Sequence, residues 1–160
     1  MELIGVRVEL PSHQPIVLLR ETASPNRVLP IFIGPPEATA IALALDGVET
    51  PRPMTHDLIK TLLDNLGASV DKIVVSDLVD STFYAVLHLT AGGSALEISS
   101  RPSDAIALAV RVDAPIYAEE AVLDQAGQHQ IDADQSEDSE AVVDEFRQFL
   151  DSVNPDDFAS

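Results

Sequence analysis

The hydrophobic pattern of this chain switches repeatedly between period two and a helical period, and the switches mark out its elements. Glu2–Leu10 sets Ile4, Val6, Val8 and Leu10 on one side of an extended segment. Pro11-Ser12-His13-Gln14-Pro15 predicts a turn, and Ile16–Glu21 the returning strand. Val28–Ile33 is continuously apolar and stops at Gly34, the pattern of a short strand buried on both faces. Pro36–Asp46 then carries Ala38, Ile41, Ala42 and Leu45 at helical spacing, with Asp46-Gly47 as its stop. A second helix is predicted over Thr55–Leu66, its apolar stripe of Leu58, Ile59, Leu62, Leu63 and Leu66 facing the core and Gly67 closing it.

Downstream, a meander of Ser69–Leu78, Thr82–Thr90 and Ala95–Ser99 is joined by Val79-Asp80-Ser81 and by the hairpin signal Ala91-Gly92-Gly93-Ser94. Pro102–Val112 runs apolar without a break from Ala105 to Val110, which predicts a helix buried from several sides. Pro115–Ala118 adds a short strand. The expected class is α+β: one compact domain with a mixed, mostly antiparallel sheet and three packed helices. Past Ala121 the composition turns polar and acidic. Gln125–Ser139 reads as a flexible linker, and Glu140–Val153 as an amphipathic helix with Val142, Val143, Phe146, Phe149, Leu150 and Val153 on its apolar side. The division is therefore a domain over residues 1–123 and an acidic linker with a C-terminal helix over 124–160.

Composition narrows the chemistry. With no cysteine, disulfides, thiolate metal sites and a cysteine nucleophile are excluded. Aromatics are 4% of the residues, so the core must be built from Ala, Val, Ile and Leu. No apolar run approaches the roughly 18 residues of a membrane span and no signal-peptide pattern opens the chain, so the expectation is a soluble, cytoplasmic protein without a membrane partner. The net charge is −18, with eleven acids against one base from Ala121 onward. Such a field repels nucleic acid at long range, and no basic patch offsets it in the sequence.

Three segments join proline, an acid and an apolar helix: Gly34-Pro35-Pro36-Glu37, Arg52-Pro53-Met54-Thr55-His56-Asp57 and Ser99-Ser100-Arg101-Pro102-Ser103-Asp104. Helix physics explains much of this. Proline is at home at N1, and Glu37, Asp57 and Asp104 lie where an acid favours the helix dipole and can cap free N–H groups. A chemical reading uses the same geometry differently. Arg101 and Arg52 can clamp phosphate, Ser103 can assist, Glu37, Asp57 and Asp104 can hold Mg²⁺ or Mn²⁺, and His56 can move a proton. On the first reading Ser103 shares in the capping, Arg101 pairs with a carboxylate, His56 at N1 is a surface histidine or bonds the preceding loop, Phe83 and Tyr84 are sheet packing, and Arg52 is an ordinary ion-pair partner. His13, His88 and His129 carry less signal. No P-loop, HExxH or comparable fixed-spacing motif is present.

Several of these segments together resemble the bifunctional nuclease domain family. The resemblance is carried by Leu29-Pro30-Ile31-Phe32-Ile33-Gly34 with Glu37-Ala38-Thr39-Ala40-Ile41, by Arg52 through Leu58, by Phe83-Tyr84-Ala85, and by Arg101-Pro102-Ser103-Asp104-Ala105-Ile106-Ala107-Leu108-Ala109. It spans about Met1–Leu123, and the acidic tail is similar to extensions on some members. It implies a compact α+β domain that self-associates and, by the family's name, cleavage of both DNA and RNA. Two functions follow as expectations. One is a metal-dependent nuclease using the residues named above; the other is a non-catalytic binding or assembly module, a dimer or larger homo-oligomer, whose proline–acid motifs are caps and intersubunit contacts.

Overall fold

The computed structural model describes residues 1–129 apart from Ser24. The expected helix over Glu140–Val153 lies outside the described residues. In chain order the elements are β1 (Glu2–Glu9), β2 (Gln14–Arg20), β3 (Arg27–Phe32), α1 (Pro35–Leu45), α2 (Thr55–Asn65), β4 (Ala68–Val79), β5 (Thr82–Ala91), β6 (Ser94–Ser100), α3 (Pro102–Val112), β7 (Ile116–Ala118), α4 (Glu120–Ala126) and β8 (Gln128–His129). The α+β class holds, but the strands form two four-stranded sheets, ordered β1-β2-β3-β8 and β6-β5-β4-β7. Every pairing is antiparallel except β4 with β7.

One core joins the two sheets. Val17, Leu19, Leu29 and Ile31 from the first meet Ile73, Val75 and Ala85 from the second, with Ala38 and Ile41 of α1, Ala105 and Ile106 of α3 and Val122 of α4 between and around them. Small and branched residues suffice because α3 packs directly on α1, α2, β4 and β5, and alanines let the backbones approach. Fully burying one Leu or Ile is worth about 1.5–3 kcal/mol, so this core stabilises the domain without large aromatics.

Two features depart from the sequence pattern. The apolar stripe of α2 is only partly covered: Ile59 and Leu63 are half-buried, but Leu58, Leu62 and the C-cap Leu66 are exposed, Leu66 at 77%, while His56 is the buried residue of that helix at 6%. Periodicity locates an apolar face but not what covers it. Second, the segment read as linker from Gln125 continues as the end of α4 and then as β8, which pairs with Arg27 and Val28 of β3. The cause is Arg27. Its buried guanidinium donates to Glu21, Glu120 and Asp124, so two acids of α4 are neutralised against β3. The Arg27 hydrogen bonds hold the Glu21 carboxyl below its usual range.

Candidate functional site

The starts of α1 and α3 lie at one end of the domain, where two turns also meet. Asp80 and Ser81 both adopt positive φ in the two-residue link between Val79 and Thr82, the geometry that a tight hairpin with right-handed twist requires. His13, also at positive φ, sits in the β1–β2 turn. Between these turns and the helix starts is an open cleft of about 620 Å³. It is lined by His13, Gln14 and Pro15, by Ile31 through Pro35, by Ser81, Thr82 and Phe83, and by Arg101, Pro102 and Ser103. Among the described residues no carboxylate lines this cleft, and Arg101 is the one permanently charged residue that does.

Arg101 is the N-cap of α3 and is held from two directions. Its Nε donates to Asp104 Oδ2 at 2.8 Å, and its Nη2 donates to Asp104 Oδ1 at 3.1 Å and to Glu37 Oε1 at 2.7 Å. Glu37 comes from the first turn of α1, so this ion group ties the two helix starts together. Gly34 makes the tie achievable: the Glu37 carboxylate folds back against it, where any Cβ would collide. The opposite guanidinium edge, Nη1, has no hydrogen-bond partner among the described residues, and the side chain is 64% exposed. The acids therefore orient the arginine and leave one donating edge free.

His56 lies behind this group. Its Nε2 is 3.1 Å from Asp104 Oδ1, and it does not line the cleft. Burial of the Asp104 carboxyl opposes its ionisation, but hydrogen bonds from Arg101 and His56 outweigh that and hold its pKa below the usual value. The Arg101 guanidinium is correspondingly pushed up, first by Asp104 and then by Glu37. Asp104 makes no cap to the backbone, since no side chain caps the α3 N-terminus. The capping part of the structural explanation thus fails for Asp104, while its other part, an Arg101–carboxylate pair, is what the structure has.

Asp57 takes the opposite course. Its Oδ2 accepts the Met54 N–H at 2.9 Å, and its Oδ1 accepts Nε of Arg111 from the last turn of α3. Burial opposes ionisation here too, yet the Arg111 and Met54 hydrogen bonds leave the carboxyl below its usual range. It is a cap and an inter-helix ion pair. Arg52 is exposed in the loop before α2 and lines neither this cleft nor the groove beside Asp57. Ser103, by contrast, is buried to 6% exposure, lines the cleft, and its hydroxyl makes no hydrogen bond among the described residues. As the second residue of the helix, its N–H also lacks an intrahelical acceptor.

The sequence-predicted residues therefore separate. Glu37, Arg101, Ser103, Asp104 and His56 come together; Asp57 and Arg52 do not join them. Among the described residues no three His, Asp or Glu side chains are arranged to hold a metal ion. Glu37 and Asp104 share a guanidinium instead, an arrangement that fits an oriented arginine rather than a metal centre. Two participants escaped the sequence reading. Arg111 was signalled only as the basic residue in the last turn of an apolar helix, and Phe32 was placed in a strand buried on both faces, whereas it is 51% exposed on the cleft wall.

Comparison with known proteins matches this arrangement to a family. The profile described as "Bifunctional nuclease domain" matches residues 17–130, which include both helix starts and the whole ion group. The chain belongs to the bifunctional nuclease domain family. Within it, Uncharacterized protein Rv1829 of Mycobacterium tuberculosis is 50% identical over 162 residues, covering 99% of this chain and 96% of that protein. Bifunctional nuclease 1 of Arabidopsis thaliana is 34% identical over 107 residues, 65% of this chain and 33% of its own length. Bifunctional nuclease 1 of Oryza sativa subsp. japonica is 31% identical over 107 residues, with 65% and 32% covered. The match to these plant members of the bifunctional nuclease family thus occupies about a third of each of them.

Proposed function

We propose that this domain binds and hydrolyses nucleic-acid phosphodiesters, of DNA and RNA, in the cleft at the starts of α1 and α3. The observation that carries the reading is Arg101: exposed, anchored on one edge by Glu37 and Asp104, and free on the other at the mouth of a cleft with no carboxylate in its lining. The family's name and its plant nuclease relatives support the same chemistry.

In this reading Arg101 Nη1, the Ser103 N–H and the Ser103 hydroxyl donate to the non-bridging phosphate oxygens, and the dipoles of two eleven-residue helices favour the negative charge. Asp104, a third exposed and hydrogen-bonded to Arg101 at the edge of the cleft, accepts a proton from the attacking water. The water oxygen bonds to phosphorus, the ester P–O bond breaks, and the proton passes to the leaving oxygen. Asp104 is a weak base while Arg101 and His56 hold it ionised. His56, buried behind it, is a positioning residue.

Mg²⁺ or Mn²⁺ remains a requirement to assay. A cation between Glu37 and Asp104 would share its space with a guanidinium, so no step is derived through it. The test is cleavage of single-stranded and duplex DNA and RNA by wild type, Arg101→Ala and Arg101→Lys, with and without EDTA. Losing one donor to developing charge costs about 10²–10³ in rate, so Arg101→Ala should fall by that much, and lysine, lacking the second edge, should recover little. An Arg101→Ala protein that cleaves at the wild-type rate would overturn the assignment.

A second reading, a homo-oligomeric assembly module, is favoured by the exposed Leu58, Leu62 and Leu66 at i, i+4 and i+8 on α2. Its signature is a chain that sediments as an oligomer, dissociates with Leu62→Lys, and shows no cleavage with any cation.

A further inference from the structure

The cleft pairs its phosphate-facing groups with an aromatic wall. Phe32 is the last residue of β3, opposite Ile16 in the register, and half of its surface faces the cleft rather than the core. Along β3 the side chains alternate: Leu29 and Ile31 point into the core, while Val28, Pro30 and Phe32 share the outer face, and of these three Phe32 is the exposed one. Phe83 and Ile33 add apolar surface to the same cleft, which Arg101 and Ser103 also line. A flat ring beside an arginine and two free donors offers what one nucleotide presents: a base with a π-face, and a phosphate. The volume lies within the roughly 300–1,000 Å³ of small-ligand pockets, enough for a nucleotide unit and not for a duplex.

We infer that the substrate is single-stranded nucleic acid, with one base stacked on Phe32 while Arg101 and Ser103 hold the neighbouring phosphate. This rests on the phosphodiester reading above and adds the substrate class. Bases paired in a duplex are already stacked and cannot offer a face to Phe32, so single strands are selected by shape.

The test uses fluorescence anisotropy of the full-length chain with three labelled probes of equal length: a DNA single strand, the same strand with abasic residues throughout, and the duplex. Stacking on one aromatic is worth about 1–3 kcal/mol, so Phe32→Leu should weaken binding of the base-bearing strand about 5- to 150-fold, to the abasic level. Abasic binding should be unchanged, and Phe32→Tyr should restore the wild-type value. Thermal melting of Phe32→Leu within a few degrees of wild type confirms that the fold is intact. Undiminished binding of the base-bearing strand by Phe32→Leu, or duplex binding as tight as single-strand binding, overturns the inference while leaving the phosphodiester reading standing. Absence of binding to all three probes by wild type overturns both.

Discussion

Replacing Asp104 by asparagine isolates the ion group that orients Arg101. The wild-type carboxylate accepts two bonds from Arg101, at 2.8 and 3.1 Å, and faces His56 Nε2 at 3.1 Å. A shielded hydrogen bond to a charged group contributes about 1.5–3 kcal/mol. Asp104 is a third exposed, so solvent screening reduces each contact, and asparagine retains one acceptor oxygen. The expected loss is about 1–2 kcal/mol at pH 7, or a fall in Tm of roughly 3–8 °C for a domain of this size. Its pH dependence is the sharper signature. The folded-state pKa of Asp104 lies below the ordinary value of 3.8, so its contribution is fully present above 3.8 and disappears as pH falls through the depressed value. Asp57 is depressed as well, but it contributes to both proteins and cancels in the difference. Urea unfolding of wild type and Asp104→Asn, from pH 7 down to about pH 3, should show a gap that is constant above about pH 4 and narrows below it. A gap independent of pH, or none at pH 7, would refute the ionic role.

Arg27→Met should lower the Tm, because it leaves Glu21 without its partner and removes the anchor of Glu120 and Asp124; an unchanged thermal unfolding curve would contradict it. Gly34→Ala is compatible with the backbone there (φ −75°) but displaces the Glu37 carboxylate; kcat/KM for a single-stranded substrate should fall about tenfold, with Tm changed by only a few degrees. Truncation after Gln130 removes ten acids and one base. It should raise affinity for single-stranded DNA most at low salt, and an affinity that is unchanged or lower would exclude any electrostatic role of the tail.

Most strands and three helices were legible in the sequence because each satisfies a local rule: alternation in β1 and β5, apolar spacing with Gly or Pro punctuation in α1, α2 and α3. The glycine pair at 92–93 set the β5–β6 hairpin in the same way, both residues taking positive φ. What failed was non-local. The stripe of α2 gave a helix and an apolar face, but Leu58 and Leu62 of that face are exposed, and the buried residue of the helix is His56, against Asp104. α4 was missed because the polar composition past Ala121 read as tail; a buried arginine 93 residues away takes up Glu120 and Asp124 while Val122 and Leu123 enter the core. The candidate site was half visible. Proline, arginine and acid at each helix start drew attention to the right residues, yet their roles depend on which carboxylate meets which arginine. Asp57 and Asp104 have equivalent positions in sequence and opposite partners in space. Phe32 could be seen as the one aromatic in an aliphatic strand before Gly-Pro-Pro, but its exposure depends on how the two turns open the cleft.

The central claim is that phosphodiesters bind at the shared start of α1 and α3. Its most direct measurement is an NMR titration of the full-length chain with a short single-stranded oligonucleotide, following backbone amides and arginine side chains. The account predicts the largest shifts at the Ser103 amide, the Arg101 guanidinium and the backbone of Phe32–Gly34, all saturating together. Saturable shifts centred on α2, with Ser103 and Arg101 unmoved, would contradict it.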